Sequence, residues 1–390
     1  MKNISNSWNK RIGIVGGGQL GKMMLLEAKR LGMYVTVLDP AHDCPASSIC
    51  DELIVAGFND ADAYARHAAK SDVITYEFEH INAEELSKLE EQGSVIYPSV
   101  KSLKAIQNKH SQKVILRGKS IGVPKFELVA SCEQIREVGV RFGYPMMLKS
   151  TCGGYDGKGN ALIKDENSIE AAFAALGGGK VELMLERFVN FSMEISVLAT
   201  RGIGGDVVIY PIAENIHKNS ILDMTIVPAR IDNATEQRAK AIAADVMSAF
   251  KGVGTFCVEM FVCGSNANHG KILVNEVAPR PHNSGHYTIE GCYTNQFENH
   301  IRAIVGLPLG DVSLRQPTVM VNLLGESDGK AVLEGVEIAY ANPNVKVHLY
   351  GKGESKVGRK MGHYTVIDSE LHKAINAANA LRDVVRVVGN

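Results

Sequence analysis

The sequence predicts a protein of the α/β class that becomes mixed α+β over its whole length. The first observation is a βαβ unit, in which a strand at 11–15, the glycine turn GGGQLG and a helix lead into a strand at 34–38. The second is the continued alternation of short strands and helices through the first hundred residues. The third is a pair of apolar strands late in the chain, at 254–262 and 271–277, joined by a short polar connection.

The first hundred residues have the element order of a doubly wound domain. After the opening unit we expect strands at 53–56, 73–76 and 95–98 and helices at 60–70 and 101–116. Short apolar strands separated by helices pair in parallel and are covered by helices on both faces. The sequence therefore predicts a doubly wound α/β domain over 11–116.

Composition and charge exclude several classes of function. The chain has 390 residues, 45% of them hydrophobic and 22% charged, with a formal net charge of −1. This charge argues against a general binder of nucleic acids or membrane surfaces. No apolar run approaches the ~20 residues that cross a membrane, and residues 1–10 are too polar for a secretory signal. The seven cysteines are scattered and form no CxxC pair, which favours reduced thiols in a cytoplasmic protein. Residues 1–10 are expected to be a flexible extension.

A glycine-rich stretch at 146–160 is the motif around which the chain is organised. It reads MMLKSTCGGYDGKGN, a short apolar strand ending at Lys149 and followed by four glycines. Glycines let backbone N–H groups surround a phosphate, and a nearby lysine supplies positive charge. The stretch lacks the G-K-[ST] of a Walker motif. Taken alone, it fits a phosphate-binding loop and a surface hairpin equally well.

Two late strands each carry an acidic residue among apolar neighbours. Glu259 and Glu276 lie in the two strands named above, and the polar connection at 264–270 predicts that these strands are antiparallel neighbours. A carboxylate in an apolar strand is costly unless it is paired or binds a cation. The two acids therefore predict a Mg²⁺ site. The polar loop that follows, PRPHNSGHY at 279–287, is suited to substrate contacts.

The first glycine turn has two interpretations. Its G-x-G-x-x-G spacing, with Asp39 at the end of the second strand, is typical of a dinucleotide site. The same turn aims amides at any anion, so a phosphate-bearing substrate could use it. The acids of YEFEH follow the strand at 73–76 and would lie at the same edge of the sheet.

Together these motifs resemble the ATP-grasp superfamily over nearly the whole chain. Five motifs, in this order, are similar to those of the N5-carboxyaminoimidazole ribonucleotide synthetases of purine biosynthesis: GGGQLGKM, YEFEH, GGYDGKGN, NEVAPRPHNSGH and YGKGESKVGRKMGH. The resemblance implies an ATP-grasp fold with a doubly wound pre-grasp domain and a small β-rich C-terminal domain. We therefore divide the chain into the extension (1–10), a pre-ATP-grasp domain (11–116), a lid (117–200), a base with the metal site (201–310) and a C-terminal domain (311–390).

The last of these domains is expected to be built mainly from strands. Apolar stretches predict strands at 319–324, 336–339 and 345–350, and a final helix at 369–385. The motif YGKGESKVGRKMGH lies between the last strand and this helix. Without the resemblance, its basic residues would be interpreted as a surface loop.

The resemblance implies an ATP-dependent ligase. Its substrates would be ATP, bicarbonate and aminoimidazole ribonucleotide, and its product N5-carboxyaminoimidazole ribonucleotide, formed through carboxyphosphate with ADP and phosphate released. ATP would bind with Mg²⁺, or with Mn²⁺. The protein would be a cytoplasmic homodimer with no nucleic-acid or membrane partner.

The resemblance also assigns residues to the nucleotide and the metal. Lys109 and Lys149 would contact the ATP phosphates, and Glu259 and Glu276 would bind the metal with Asn275 beside them. The loop closing over the phosphates would contribute Gly153, Gly154, Tyr155, Asp156, Gly157, Lys158 and Gly159. The adenine and ribose would be contacted by Glu186, Arg187, Phe188, Val189, Glu194 and His217.

A further set of residues is assigned to the reacting groups. The bicarbonate and the amine would be surrounded by Tyr155, Asp156, Arg280, His282 and Lys352. The ribonucleotide would be bound by Gln19, Leu20, Glu77, Asn283, Lys352, Arg359 and Lys360. The choice of Lys352 over Lys356 depends on the resemblance alone. Either Asp156 or His282 could move the proton, and the ordinary pKa of histidine suits this role better.

Three other functions would each explain some of these motifs. A formate-dependent glycinamide ribonucleotide transformylase would use the same ATP apparatus, but it typically has an aspartate where Asn283 stands. A NAD-dependent oxidoreductase would explain the first βαβ unit and leave Lys149 and the acid pair unexplained. A non-catalytic nucleotide-binding regulator would bind ATP without bicarbonate-stimulated turnover.

Overall fold

The first hundred residues form a parallel sheet of four strands with helices on both faces. The computed structural model describes residues 9–154, 159–264 and 270–390. The strand order is β3-β2-β1-β4. The elements are Arg11–Val15 (β1), Gln19–Arg30 (α1), Tyr34–Asp39 (β2), Glu52–Val55 (β3), Ala61–Ala69 (α2), Val73–Tyr76 (β4), Ala83–Glu91 (α3) and Val100–Gln107 (α4). Ile12 and Ile14 pack on the α1 side and Val15 and Ile74 on the α2–α3 side, so the predicted doubly wound arrangement is confirmed.

Two predictions in this region were wrong. Residues 95–98 make only an isolated parallel bridge, Ile96 to Ile74, because the chain leaves the sheet at Ser99, whose side chain caps α4. The helix predicted at 101–116 is two helices, α4 and Lys109–Gly118 (α5). Asn108 separates them with extended backbone, and its side chain caps α5 by accepting from the Ser111 amide at 2.9 Å. The break places Lys109 at the start of α5.

The lid is an antiparallel sheet of four strands in the order β5-β8-β6-β7 with two helices against it. Its core consists of Val129, Ile135, Met146, Leu148 and Ile163 with their neighbours. Lys149 is the fourth residue of β6. The elements are Phe126–Val129 (β5), Cys132–Phe142 (α6), Met146–Ser150 (β6), Asn160–Ile163 (β7), Ile169–Ala175 (α7), preceded by the 3₁₀ turn Glu166–Ser168, and Leu183–Arg187 (β8).

A nine-stranded sheet forms the floor of the molecule. Its first part consists of Phe191–Arg201 (β9), Val207–Ile209 (β10), Ala213–Lys218 (β11), Ile221–Val227 (β12), Gly254–Cys263 (β13) and Ile272–Ala278 (β14), with the helix Asn233–Phe250 (α8) packed against it. Strands β13 and β14 are antiparallel neighbours, as predicted, and Glu259 lies directly opposite Glu276. The two acids therefore meet on the edge strand β14 and its neighbour β13.

The C-terminal strands continue this sheet and add a small second one. The strands are Thr318–Leu324 (β15), Gly329–Glu334 (β16), Val345–Leu349 (β17), Glu354–Ser355 (β18), Lys360–Ile367 (β19) and Arg386–Gly389 (β20). Strands β15, β19 and β17 extend the floor beyond β12, whereas β18, β16 and β20 form a separate three-stranded sheet. The remaining helices are Thr288–Gly291 (α9), Gln296–Val305 (α10), Val336–Tyr340 (α11) and Leu371–Arg382 (α12), with a 3₁₀ turn at Asn283–Gly285.

The strand predicted at 336–339 was wrong, because this segment is helix α11. Gly335 precedes it with a φ of 69°, a left-handed conformation that turns the chain into a helical turn. Ile338 is 52% exposed and only Ala339 is buried, so the apolar residues of this segment do not enter a sheet. Within the described residues, no helix combines the length and the apolar character needed to cross a membrane.

Helix α10 joins the first sheet to the floor. Phe297, Ile301 and Ile304 complete the core formed by β1, β2 and α1. On another side, buried His300 accepts from the Thr255 amide at 3.1 Å through Nδ1 and contacts the Thr75 hydroxyl at 2.8 Å through Nε2. The helix thus fixes the edge where β4 ends against the floor, which brings the YEFEH segment next to the acid pair.

Candidate active site

A cleft of about 1320 Å³ lies between the lid, the floor, the first sheet and the C-terminal hairpin, which is formed by β17, β19 and the connection 350–359 between them. The structure places most of the predicted site residues around it, although they come from distant parts of the sequence. Those that line it are Gln19, Leu20, Glu77, Lys149, Gly153, Gly154, Glu186, Arg187, Phe188, Val189, Glu194, His217, Glu259, Asn275, Glu276, Arg280, His282, Asn283, Lys352, Arg359 and Lys360. Lys356 lines the cleft as well. A second groove, of about 810 Å³ and lined by parts of 117–127 and 141–142, contains none of the predicted residues.

Four predicted residues lie outside the description of the structure. Tyr155, Asp156, Gly157 and Lys158 fall between two described segments, and residues 1–8 of the predicted extension precede the first one. Their neighbour Gly159 is described: its carbonyl accepts from the Ser150 amide at 2.8 Å, and its φ is 86°. This contact closes the base of the glycine loop against β6.

Two lysines share one buried carboxylate at the junction of lid and floor. The Nζ atoms of Lys113 and Lys149 lie 2.9 and 2.8 Å from the two oxygens of Glu186. Both lysines also reach Asn275, Lys113 at its carbonyl (2.8 Å) and Lys149 at its side-chain oxygen (3.2 Å). Burial alone would raise the pKa of Glu186, but the two ammonium groups lower it to about 2. Glu186 is therefore ionised and holds both cations in place.

Lys109 lies on the other side of Asn275 and pairs with Glu276. Its backbone amide donates to the Thr151 carbonyl at 2.7 Å, which ties the start of α5 to the end of β6. Burial opposes the charge of Lys109, but the carboxylate of Glu276 outweighs it and raises the pKa of this lysine. Of the three lysines, Lys149 lines the cleft, whereas the buried Lys109 and Lys113 pair with acids that line it. Such a cluster suits the phosphates of a nucleotide.

Glu259 and Glu276 form a carboxylate pair in the floor of the cleft. Burial, followed by the charge of Glu276, raises the pKa of Glu259 to about 7. Among the described residues, no group of three or more His, Cys, Asp or Glu side chains is arranged to hold a metal ion by itself. Two carboxylates fit a Mg²⁺ ion that takes its remaining ligands from phosphates and water. The residues present therefore suit a metal that arrives with a nucleotide.

Arg280 is held by a buried acid of the first domain. Glu79, the second acid of YEFEH, forms a two-point contact with the Arg280 guanidinium, Oε1 lying 3.0 Å from Nη2 and Oε2 contacting Nε. Burial would raise the pKa of Glu79, but Arg280 lowers it to about 2. The pair sets the guanidinium at the rim where the first sheet meets the floor.

The neighbouring His282 faces the acid pair. Its Nε2 lies 3.5 Å from Oε1 of Glu259, and its backbone amide donates to Gln296 at 2.8 Å. Burial first, and then the charge of Arg280, lower the pKa of His282 well below its usual range. The structure therefore presents a neutral imidazole to the cleft.

The anion site of the first glycine turn is filled by the protein itself. Glu77 accepts from the amides of Gly18 and Gly21 at 2.8 and 2.7 Å, and Asp39 accepts from the Gly17 amide at 2.7 Å. A dinucleotide would need these amides for its pyrophosphate and Asp39 for its ribose. The oxidoreductase interpretation is therefore unfavourable. Gln19 and Leu20, between these glycines, line the cleft.

Asn283 contacts another asparagine that the sequence analysis did not select. Its Nδ2 donates to Oδ1 of Asn322 at 2.9 Å, and Nδ2 of Asn322 donates back to Oδ1 of Asn283 at 2.7 Å. Both side chains are buried. The reciprocal pair fixes the orientation of the Asn283 amide at the edge of the cleft.

The C-terminal hairpin brings its basic residues to the same edge. Nζ of Lys352 donates to the Lys360 carbonyl at 2.8 Å, and Nη1 of Arg359 donates to the Glu354 carbonyl at 2.8 Å. These contacts hold the hairpin closed, with Lys352, Arg359 and Lys360 facing the cleft. Because Gln19 and Leu20 lie across from them, a phosphate could be contacted from both sides.

The part of the cleft formed by β9, β11 and residues 186–189 has the features of a nucleoside pocket. Oε2 of Glu194 pairs with Nδ1 of His217 from the neighbouring strand β11. Although burial works against its charge, this contact raises the pKa of His217. Met147, Met260 and Phe261 supply apolar walls, and residues 186–189 form one rim. An apolar slot with an acid at its end suits a base and a ribose.

Three site residues were missed by sequence reasoning. Lys113 lies four positions after Lys109, a spacing that places both on one helix face and could have identified it. Glu79 lies two positions after Glu77 and could have been paired with an arginine, but only the fold shows which one. Asn322 lies in an apolar strand, and no local signal connects it with Asn283.

Comparison with protein families covers nearly the whole chain. Residues 9–107 match the ribonucleotide synthetase preATP-grasp domain, residues 114–297 the ATP-grasp domain, and residues 318–377 the phosphoribosylaminoimidazole carboxylase C-terminal domain. These matches confirm the predicted fold class: an ATP-grasp domain with a preATP-grasp domain before it and a C-terminal domain after it.

Named relatives match at similar coverage. The N5-carboxyaminoimidazole ribonucleotide synthase of Bacillus subtilis is 43% identical over 91% of this chain and 90% of its own length. The crystal structure of the synthetase from Thermotoga maritima has a TM-score of 0.87 and 44% identity, and covers 98% of this chain and 100% of that one. The synthase of Aspergillus clavatus, in complex with ADP and 5-aminoimidazole ribonucleotide, has a TM-score of 0.89 and 35% identity, with coverages of 97% and 98%. The chain therefore belongs to the N5-carboxyaminoimidazole ribonucleotide synthase family and is an ATP-dependent ligase of purine biosynthesis, as its motifs predicted.

Proposed function

We propose that this chain carboxylates the 5-amino group of aminoimidazole ribonucleotide, with bicarbonate as the carbon source, in a cleft that binds both nucleotides at once. The observation that carries the proposal is a single cleft lined by Lys149, the acid pair, the Arg280–His282 loop and the basic hairpin, with Lys109 and Lys113 paired to acids of the same cleft. It agrees with the Aspergillus clavatus relative, whose structure is described as a complex with ADP and the ribonucleotide.

The two nucleotides would occupy opposite ends of this cleft. The adenine would lie along 186–189, and its ribose would contact Glu194. Lys109 and Lys149 would contact the phosphates, with the loop 153–159 closing over them. The ribonucleotide phosphate would lie between Gln19–Leu20 and the hairpin residues Arg359 and Lys360, with Glu77 and Asn283 near the ribose or imidazole.

The metal of the reaction would be Mg²⁺, or Mn²⁺, bound by Glu259 and Glu276 together with the ATP phosphates. When bound, it would neutralise charge on those phosphates and on the acid pair. The raised pKa of Glu259 supports this assignment, because two half-buried carboxylates facing each other favour a cation between them.

The chemistry consists of two transfers. First, an oxygen of bicarbonate attacks the γ-phosphorus of ATP, the bond to the β-phosphate oxygen breaks, and carboxyphosphate and ADP form. Lysine charge and loop amides would stabilise the transferred group. Then the 5-amino nitrogen bonds to the carboxyl carbon, directly or after release of CO₂ within the cleft, and the carbon–oxygen bond to phosphate breaks. The nitrogen loses a proton as inorganic phosphate leaves.

The carboxyl intermediate would react between the Arg280 loop and the hairpin. Arg280, His282 and Lys352, with Tyr155 and Asp156 of the lid, would surround it. Because carboxyphosphate hydrolyses readily, the closed loop would exclude water. Arg280 would bind a carboxylate oxygen while Glu79 fixes its plane.

The remaining proposals concern organisation. We propose the division 11–116, 117–190, 191–310 and 311–390, with the predicted end of the lid moved from 200 to 190 because β9 is a strand of the floor. We also propose a homodimer in the cytoplasm. Light scattering on the protein as it elutes from a size-exclusion column would give twice the mass of the 42.2 kDa chain if the dimer proposal is correct. A mass of one chain would reject it.

The deciding experiment measures ADP release with Mg-ATP and aminoimidazole ribonucleotide, with bicarbonate supplied or rigorously removed. Formate with glycinamide ribonucleotide is the parallel pair of substrates. Turnover only with the imidazole and bicarbonate would support the proposal. Turnover only with the formate pair would replace it with the transformylase, and ATP binding without turnover in either arm would favour the regulator.

A further inference from the structure

His282 receives two hydrogen bonds from Ser284 at a single ring nitrogen. The Ser284 amide donates to Nδ1 of His282 at 3.3 Å, and the Ser284 hydroxyl lies 2.9 Å from the same atom. In this way the imidazole caps the 3₁₀ turn Asn283–Gly285. A backbone N–H can only donate, so Nδ1 must present its lone pair and carry no proton. In a neutral imidazole the proton is then on Nε2.

A chain of buried polar groups leads from Ser284 into the floor. Ser196 Oγ donates to Ser284 Oγ at 2.8 Å, Asn215 Nδ2 donates to Ser196 Oγ at 2.9 Å, and Thr225 Oγ1 donates to Asn215 Oδ1 at 3.1 Å. All four side chains are buried. Each of these groups donates a hydrogen bond to the next one. The hydrogen of the Ser284 hydroxyl therefore points to Nδ1 of His282. Aligned hydrogen bonds of this kind polarise and strengthen one another.

Strand register explains why the chain of hydrogen bonds ends beneath the acid pair. Asn215 lies directly opposite Thr225 on β12, and Ser196 lies directly opposite Glu259 on β13. The hydrogen bonds therefore cross three neighbouring strands, β12, β11 and β9, before they reach Ser284 in the 3₁₀ turn. At their end, Nε2 of His282 is 3.5 Å from Glu259 Oε1 and faces the cleft.

We propose that Ser284, Ser196, Asn215 and Thr225 are positioning residues that hold His282 as the neutral tautomer with its proton on Nε2. His282 then donates a hydrogen bond to an oxygen of the reacting carboxyl group, and it does not accept the proton that the amine loses. The identity of that oxygen rests on the proposed function. The tautomer does not, because it follows from the contacts at Nδ1.

The tautomer can be measured without turnover. Two-bond ¹H–¹⁵N correlation spectra of the full-length protein with ¹⁵N-labelled histidine distinguish a protonated from an unprotonated ring nitrogen. The His282 signals are identified by their absence in His282→Gln and, as a second variant, His282→Asn. We expect an unprotonated Nδ1 and a protonated Nε2. A proton on Nδ1, or on both nitrogens, would overturn the proposal.

Activity measurements then test the positioning role. Ser284→Ala should lower kcat for the bicarbonate-dependent reaction about tenfold, with the KM for ATP within about twofold and Nδ1 shifted towards protonation. Ser284→Thr, which keeps the hydroxyl, should restore most of the rate. Thr225→Val removes the far hydroxyl with little change of shape and should cost about threefold. Its matched control is Thr200→Val. Thr200 lies on β9, and its buried hydroxyl is 2.8 Å from that of Thr255, outside the hydrogen bonds that lead to His282. This variant should leave kcat unchanged.

The outcomes separate the two proposals. If the wild-type protein shows no bicarbonate-dependent turnover with the ribonucleotide, the proposed function fails, whereas the spectrum still decides the tautomer. If turnover is normal but Ser284→Ala and Thr225→Val match the wild type in kcat and in the His282 spectrum, the positioning role is wrong. If Ser284→Ala does not fold, the comparison of kcat and of the His282 spectrum between Thr225→Val and Thr200→Val decides whether the positioning role is correct.

Discussion

The ammonium group of Lys113 lies 2.9 Å from Oε1 of Glu186, and both side chains are almost completely buried. The other oxygen of this carboxylate binds Lys149, the residue expected at the ATP phosphates. Glu186 therefore divides its charge between a lysine directed at the ligand and a lysine inside the protein. Lys113 limits how strongly Lys149 is drawn away from the cleft.

Replacing Lys113 by methionine should weaken both folding and nucleotide binding. The change leaves Glu186 with one partner, and breaking a buried ion pair from one side costs about 3 kcal/mol. The carboxylate would hold Lys149 more tightly, so we expect the Kd for ADP to rise about tenfold. Calorimetric titration and thermal unfolding measure the two effects. Lys104→Met is the matched control, since exposed Lys104 on α4 pairs with the exposed Glu84 at 2.8 Å. Equal affinities in both variants would contradict the role of Lys113.

Replacing Glu259 by glutamine should impair turnover through the metal. Glutamine keeps the shape but removes one of the two charges facing the proposed Mg²⁺, so we expect kcat to fall about 10²–10³-fold. The Mg²⁺ concentration for half-maximal rate should rise as well. Both are read from rates at fixed ATP over a Mg²⁺ titration. The control is Glu236→Gln, an acid on α8 that pairs with Lys240. An unchanged Mg²⁺ requirement in Glu259→Gln would exclude this residue as a ligand.

Replacing Asn322 by leucine should affect the ribonucleotide and spare ATP. Leucine matches the size of asparagine but leaves the Asn283 amide without its buried partner, which costs about 1–3 kcal/mol. A misplaced Asn283 should raise the KM for aminoimidazole ribonucleotide about tenfold, with the KM for ATP unchanged. The exposed pair Asn59–Asn82 offers the control Asn59→Leu, with wild-type kinetics expected. Equal rises in both KM values would indicate general distortion instead.

Buried His300 should make folding sensitive to acid. Burial lowers its pKa to about 3 in the folded protein, below the ordinary value of 6.5. The unfolded chain therefore binds the proton more readily, and the stability that depends on a neutral His300 falls as the pH drops from about 6.5 towards 3.

The measurement is the free energy of unfolding in urea at about pH 7 and about pH 5. His300→Asn should be less stable than wild type at the higher pH, because it loses the contacts to Thr75 and Thr255, and it should lose less stability on acidification. The exposed His372 gives the control His372→Asn, which should follow the wild type. If the free energy of unfolding of His300→Asn falls with pH as steeply as that of the wild type, His300 is not the group that makes folding sensitive to acid.

The sequence could predict elements and registers that depend on near neighbours in the chain. Glu259 and Glu276 were expected on adjacent strands because only a short polar connection separates those strands, and they lie directly opposite each other. The doubly wound first domain followed from the same kind of local pattern.

Contacts between distant segments could not be predicted in this way. Nothing near Glu79 indicates Arg280 as its partner, and nothing near Asn283 indicates Asn322. The strand predicted at 336–339 failed for a different reason: four residues, three of them apolar, fit a strand or a turn of helix equally well, and Gly335 decided between them.

Helix α10 has a consequence for synthesis on the ribosome. The apolar face that Ile12, Ile14 and Met24 present early in the chain is covered by Phe297, Ile301 and Ile304. While the intervening residues are being translated, that face has no native partner and is open to chaperones and to other nascent chains. A fragment that stops at residue 116 would keep this exposed face permanently, so the first domain should be recovered in soluble form only when the chain extends past α10.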